Sequence, residues 1–174
     1  CVNQLAIHPV YTNTVYAATA AEGLYRTVDG GIHWTQLSGL RPDDIRAIAI
    51  NPYNPVEIYA GTDGYGVYYS ADGGDSWSWM SEGMEPNDRI WTIVIDPTDP
   101  LVLYAGSFYT GVYKYISNEG QWVHINLGLR TRSVPDLAIS SDGKVLYAAT
   151  YGEGIFRLGD IPPQIKLFLP LLKH

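Results

Sequence analysis

The sequence predicts an all-β protein built as four four-stranded antiparallel blades of a β-propeller, either complete as a small ring or half of a larger one. Three observations predict it. A repeat recurs with a period in the low forties. Each repeat divides into strand-sized segments separated by turn residues. One eight-residue phrase returns at a fixed place inside the repeat, as Thr27-Val-Asp29-Gly-Gly31-Ile-His-Trp34 and again as Ser70-Ala-Asp72-Gly-Gly74-Asp-Ser-Trp77.

The first segment of each repeat is a hydrophobic strand that ends in a turn: Ala6-Ile-His-Pro9, Ala49-Ile-Asn-Pro52, Val94-Ile-Asp-Pro97 and Ala138-Ile-Ser-Ser141. The second is a strand of small residues around a tyrosine, such as Val15-Tyr-Ala-Ala-Thr19 and Ile58-Tyr-Ala-Gly-Thr62. Its tyrosines fall at 16, 59, 104 and 147, so the steps are 43, 45 and 43 residues. That is a propeller-blade period, and no stretch carries the 3.6-residue periodicity of a helical repeat. The third segment runs from a glycine through an aromatic, as in Gly66-Val-Tyr-Tyr-Ser70 and Gly154-Ile-Phe-Arg-Leu158. The fourth follows the Asp phrase. In the second repeat the four strands are expected near 45–50, 57–61, 66–70 and 76–80, rich in Val, Ile, Tyr and Trp and bounded by Gly, Pro, Asn and Asp. Small residues in the second strand suit close packing of neighbouring blades near the axis.

Blades are expected at about 1–40, 41–84, 85–129 and 130–160, with a tail over 161–174. The fourth repeat has no evident fourth strand after Leu158, and the tail segment Gln164–Leu172 is the candidate to supply it. A blade cannot bury both its faces alone, so blades must stack. An unclosed set of four would leave two apolar faces in water. At roughly 400 Å² each and about 25 cal/mol per Å², this forgoes roughly 20 kcal/mol of burial. Three arrangements satisfy this: a four-bladed ring, an eight-bladed ring from two chains, or part of a longer protein.

The Asp phrase reads as a hairpin device. Two glycines permit positive φ, and the carboxylate can accept turn N–H groups that no strand satisfies. The Trp can pack its ring under the turn. Asp29, Gly31 and Trp34 form one set, and Asp72, Gly74 and Trp77 a second. Asn118, Gly120 and Trp122 form a third that is one residue shorter. All are expected to be structural.

At these residues the chain resembles the Asp-box, or BNR-repeat, propellers, whose phrase is Ser/Thr-x-Asp-x-Gly-x-x-Trp. The surrounding strands are similar to those of photosystem II stability/assembly-factor-like proteins, family 74 xyloglucan hydrolases and sortilin-type receptors. The resemblance spans about residues 2–158. It implies a propeller fold, usually of seven or more blades, and work outside the cytoplasm: periplasmic, cell-surface or secreted. Abundant Tyr, Trp, Gly and Thr with few Lys agree with that location.

Composition narrows the partners. Net charge is −7, from 18 acids against 11 bases, and no basic stripe is present, so nucleic acid is not an expected ligand. The single cysteine, Cys1, excludes an intrachain disulfide. It stands where a lipidated residue would, so a membrane enters only through lipidation of Cys1. The four histidines are scattered without metal-ligand spacing, and no phosphate-binding glycine loop occurs, so neither metal nor cofactor is expected. His8 stands where other repeats have Asn51 or Asp96, which marks it as a turn residue.

In a propeller the loops between second and third strands, and those between blades, gather on one face around the axis. That face would carry Tyr65, Trp91, Phe108, Tyr109 and Tyr151, with Asp63, Asp43, Asp44, Asp88, Glu22, Glu153, Arg46, Arg89 and Arg132 among them. Aromatic rings interleaved with polar groups suit a sugar or a protein hot spot. A glycosidase needs two carboxylates at a set separation. Asp63, Asp88, Asp136 and Glu153 are candidates, and nothing in the sequence pairs any two. The expected function is therefore a non-catalytic binding or scaffold propeller for a protein or glycan, assembly-factor-like in one form. The alternatives are a fragment of a carbohydrate-active enzyme, hydrolase or sialidase-like, and a structural surface or filament module. A dimer that completes a ring is an expected form of self-association.

Overall fold

The computed structural model describes residues 1–40, 44–126 and 128–159, with the backbone of residues 169–170. The loop residues Arg41, Pro42 and Asp43 and the rest of the tail lie outside the described residues. Among the described residues, sixteen strands form four antiparallel four-stranded sheets, each a meander in chain order. The first holds β1 (Val2–Ile7), β2 (Val15–Thr19), β3 (Leu24–Thr27) and β4 (Thr35–Leu37). The second holds β5 (Ile45–Ile50), β6 (Ile58–Thr62), β7 (Val67–Ser70) and β8 (Ser78–Trp79). The third holds β9 (Ile90–Ile95), β10 (Leu103–Ser107), β11 (Val112–Ile116) and β12 (Gln121–His124). The fourth holds β13 (Asp136–Ile139), β14 (Val145–Thr150), β15 (Gly154–Gly159) and β16 (Leu169–Pro170). The backbone of β16 pairs with β15, Phe156 opposite Pro170 and Arg157 opposite Leu169.

The first strands of successive sheets pack on one another: β1 on β5, β5 on β9 and β9 on β13. This is the blade order of a propeller around its axis. Close approach there depends on the second strands. A Cβ on Gly61 would lie 2.8 Å from the Ile90 carbonyl oxygen of the next blade, and one on Gly106 would lie 2.5 Å from Thr92 Cγ2 and 2.9 Å from the Val134 carbonyl oxygen. Three cores fill the three spaces between four sheets. Tyr16, Leu24, Ile48 and Ile58 fill the first, Tyr59, Val67, Ile93 and Trp122 the second, and Val112, Leu137, Leu146 and Phe156 the third.

The two outermost faces of the stack remain open. Val2, Leu5 and Ile7 are exposed on the first sheet, although Ile45 and Ile48, the counterparts of Val2 and Leu5, are buried in the second. Tyr147 and Ile155 are exposed on the fourth. Among the described residues, the first and fourth sheets do not pack through their inner strands as successive sheets do.

Candidate functional site

The two full Asp phrases form the same turn. Gly30 and Gly31 take φ of +75° and +96°, and Gly73 and Gly74 take +76° and +96°. Asp72 Oδ1 accepts the Ser76 N–H at 2.9 Å, and its other oxygen accepts the Ser76 hydroxyl. Asp29 Oδ1 accepts the His33 N–H at 3.0 Å, and Oδ2 pairs with His33 Nδ1 at 2.7 Å. The residue two before the Asp does more than end a strand. Ser70 Oγ accepts the Gly74 N–H at 2.8 Å and donates to Asp72 Oδ1 at 2.8 Å, and Thr27 does the same for Gly31 and Asp29. Hydrogen bonds from the Ser76 hydroxyl, the Ser76 N–H and the Ser70 hydroxyl hold the Asp72 carboxyl below its ordinary 3.8, at about 2. Those from the His33 N–H, the Thr27 hydroxyl and the His33 ring hold Asp29 well below the usual carboxylate range. Trp77 Nε1 donates to the Gly74 carbonyl at 3.0 Å, so its ring does lie under the turn. The third phrase departs from this pattern. Its turn closes through the Gly120 N–H to the Ile116 carbonyl, and Asn118 makes no side-chain hydrogen bond among the described residues. Trp122 is instead buried between blades and donates to the Met80 carbonyl at 2.7 Å.

His8 is a turn acceptor. Its Nδ1 takes the Val10 and Tyr11 N–H groups at 3.1 and 3.0 Å, as Asn51 Oδ1 takes Tyr53 and Asn54 and Asp96 Oδ1 takes Thr98.

The axial face gathers most of the residues expected there. Trp91 stacks on Phe108 with ring centroids 4.4 Å apart and planes 28° apart. Tyr109 and Tyr151 stand edge-on to Phe108 at 4.8 and 6.1 Å, and both are exposed. Arg46 lies over Trp91 at 5.6 Å and Arg89 over Tyr109 at 5.3 Å. Asp63 joins the two arginines: Oδ2 accepts Arg46 Nε and Nη2 at 3.0 and 2.7 Å, and Oδ1 pairs with Arg89 Nε at 2.8 Å. Asp44 takes a further Arg46 bond at 3.0 Å. Asn3, Arg46 and Trp91 line an open hollow of about 180 Å³. They occupy one register position in three successive inner strands, which is why residues so far apart in sequence meet. Asn3 was not among the expected face residues, and its signal is this shared register with Arg46 and Trp91.

Two buried side-chain polar atoms lack a hydrogen-bond partner among the described residues, Trp91 Nε1 and Ser133 Oγ. Both belong to this face, since the Ser133 carbonyl accepts the Tyr151 N–H at 3.1 Å. Buried polar atoms without partners are rare in folded proteins.

Other expected residues fall elsewhere. Tyr65 is exposed and makes no ring contact with the cluster. Glu153 has no ion-pair partner among the described residues. Asp88 is 2% exposed and accepts hydrogen bonds from the hydroxyls of Ser107, Thr110 and Tyr113 and from the Arg89 N–H. It is the hub that ties the loop before β9 to the β10–β11 hairpin. Burial foremost, with the Asp88 hydrogen bond next, pushes the Tyr113 hydroxyl pKa far up. Asp136 Oδ1 accepts the Leu137 N–H at 2.9 Å and the Thr92 hydroxyl at 3.4 Å.

The fold and the face together define a β-propeller assembly with an aromatic, arginine-bearing axial surface. Solved structures agree on the fold. The chain is similar to an ancestral GH74 enzyme, with 20% identity and a TM-score of 0.58 over 99% of this chain and 32% of the other. It is also similar to the GH74 enzyme of Niastella koreensis, with 21% identity and a TM-score of 0.72 over 91% of this chain and 28% of the other. The chain thus spans about a third of the length of each, and identities this low speak for the fold alone. No protein-family model and no curated protein matches the chain.

Proposed function

We propose that the chain is a carbohydrate-recognising part of an extracytoplasmic Asp-box propeller, with the axial aromatic cluster as its sugar platform. The observation that carries this is the juxtaposition of the Trp91–Phe108 stack and exposed Tyr109 and Tyr151 with an unpartnered indole N–H and two arginines. Sugar rings present apolar C–H faces and hydroxyl acceptors, which this combination of flat rings and directed donors matches. The GH74 enzymes that share the fold make a glycan the first ligand to test.

A second reading, a portion of a carbohydrate-active hydrolase, is tested beside it, since the fold is one that GH74 enzymes share. Asp63 and Asp88 are committed to arginines and hydroxyls. Asp136 and Glu153 are then the carboxylates to test. The experiment is incubation with xyloglucan, other β-glucans and sialosides, reading both retention and product. Binding without product, lost on Tyr109→Ala or Tyr151→Ala, supports the platform. Product that disappears on Asp136→Asn or Glu153→Gln with the fold intact supports the hydrolase. Absence of both binding and product on every glycan would refute the carbohydrate reading and return the face to a protein partner.

A further inference from the structure

A second hollow opens beside the aromatic platform. Glu85, Thr110, His124, Asn126 and Arg132 line it, and its volume of about 600 Å³ is that of a small-ligand site. Glu85 comes from the loop that enters the third blade, and Arg132 from the loop that leaves it. Two chain neighbours tie this hollow to the platform. Thr110 follows Tyr109, and Arg132 precedes Ser133, whose carbonyl accepts the Tyr151 N–H at 3.1 Å.

One side of the hollow is a fixed imidazole. His124 stacks on Tyr113, the residue opposite it on β11, with ring centroids 4.2 Å apart and planes 30° apart. Asn126 sets which ring nitrogen carries hydrogen. Its Oδ1 accepts the Val112 N–H at 2.7 Å, so its amide nitrogen is the atom that donates to the Thr110 carbonyl at 2.6 Å. The same nitrogen lies 3.1 Å from His124 Nδ1 and donates its second hydrogen there. Nδ1 is therefore an acceptor, and the imidazole hydrogen sits on Nε2. This Nε2–H makes no hydrogen bond among the described residues. The arrangement depends on Gly111, where a Cβ would collide with Asn126 Oδ1.

The charged groups of the hollow are unused. Among the described residues the ion pairs belong to Arg26, His33, Arg46, Arg89 and Lys144, and neither Glu85 nor Arg132 joins one. Both are exposed. A ligand thus meets a free guanidinium, a free imidazole N–H and a free carboxylate. One cation and one acid offset each other, so a dianion such as phosphate gains little here. A monoanion that also brings hydroxyl donors satisfies all three groups. The guanidinium and the imidazole N–H take its carboxylate, and Glu85 accepts a hydroxyl.

We infer that this hollow binds a uronic acid residue, with Arg132 and His124 Nε2–H on the sugar carboxylate and Glu85 on a ring hydroxyl. The choice of a sugar to carry that carboxylate rests on the carbohydrate reading of the neighbouring platform. A glycan with a neutral stretch on the aromatic rings and one uronate in the hollow engages both sites.

The test is a nuclear magnetic resonance titration of the whole chain that follows the His124 ring protons. They are assigned with His124→Phe, which keeps a ring on Tyr113. The probes are methyl β-glucuronide, methyl β-glucoside, acetate and a neutral xyloglucan oligosaccharide. The glucuronide is expected to shift the His124 signals at about tenfold lower concentration than the glucoside or acetate, the scale of a hydrogen bond between charged groups. Arg132→Ala is expected to abolish that preference and to leave the affinity for the xyloglucan oligosaccharide unchanged. An equal response to glucuronide and glucoside, or to glucuronide and acetate, would overturn the site. So would a glucuronide response indifferent to Arg132→Ala. Xyloglucan binding that persists beside either result confines the failure to this hollow. Absence of binding by every sugar overturns the hollow and the platform together, whereas a glucuronide preference without xyloglucan binding supports the hollow and removes the platform.

Discussion

Arg46 and Asp63 meet through two hydrogen bonds to a single carboxylate oxygen, while Arg89 takes the other oxygen from the neighbouring blade. Asp63 is thus a bridge between two blades and a spacer that holds each arginine beside an aromatic ring. Replacing it by Ala leaves Arg89 without its anion and Arg46 with Asp44 alone, and unfolding free energy should fall by about 2 kcal/mol. Glycan affinity should fall with it, through misplaced arginines. Chemical denaturation and a binding titration on the same variant check both effects.

Asp88 organises its loop through hydroxyl donors, so Tyr113→Phe should cost about 2 kcal/mol, the scale of a hydrogen bond to a charged acceptor. Because Tyr113 is fully buried, the change should not alter glycan affinity once the protein is folded. Urea unfolding beside a binding titration separates the two.

The Asp turns make stability depend on acid. Asp72 has its carboxyl lowered from 3.8 to about 2 in the folded chain. A lowered folded value means the turn contributes its full stability above about pH 4 and loses it as pH falls toward 2. Asp72→Asn should lower the melting temperature at neutral pH and flatten its fall between pH 4 and 2. Thermal melts across that window read this directly. Ser70→Ala should destabilise as well, because its hydroxyl serves both Gly74 and Asp72.

His8 takes the role that Asn and Asp take in the neighbouring blades, so His8→Asn should be tolerated within about 0.5 kcal/mol. His8→Ala leaves the Val10 and Tyr11 N–H groups without their acceptor and should cost about 1 kcal/mol. Denaturation of the pair of variants decides whether the ring is wanted for more than its Nδ1.

Much of the fold is legible in the spacing of Tyr16, Tyr59, Tyr104 and Tyr147, because each blade repeats one meander and one interblade contact. The Asp turn is legible for the same reason. Local hydrogen bonds within eight residues leave a local pattern. Less legible is what stacking creates. Asn3 meets Trp91 only because two blade joints bring one register position together. The carboxylate roles are equally hidden: Asp63 and Asp88 look like free acids in sequence, and the partners that occupy them come from other strands. Asn118 misleads in the opposite sense, since a loop one residue shorter removes the geometry that its similar side chain suggests.

The most direct test of the sugar platform is calorimetric titration of a xyloglucan oligosaccharide into the wild-type chain and into Phe108→Ala, with tryptophan fluorescence followed in parallel and the Trp91 share taken from the difference against Trp91→Phe. The account predicts saturable binding that perturbs the fluorescence, and a loss of at least about tenfold in affinity when Phe108 is removed, from lost stacking support worth about 1.4 kcal/mol. Saturable binding that leaves the fluorescence unmoved and survives Phe108→Ala unchanged would contradict it, because the sugar would then lie elsewhere on the chain.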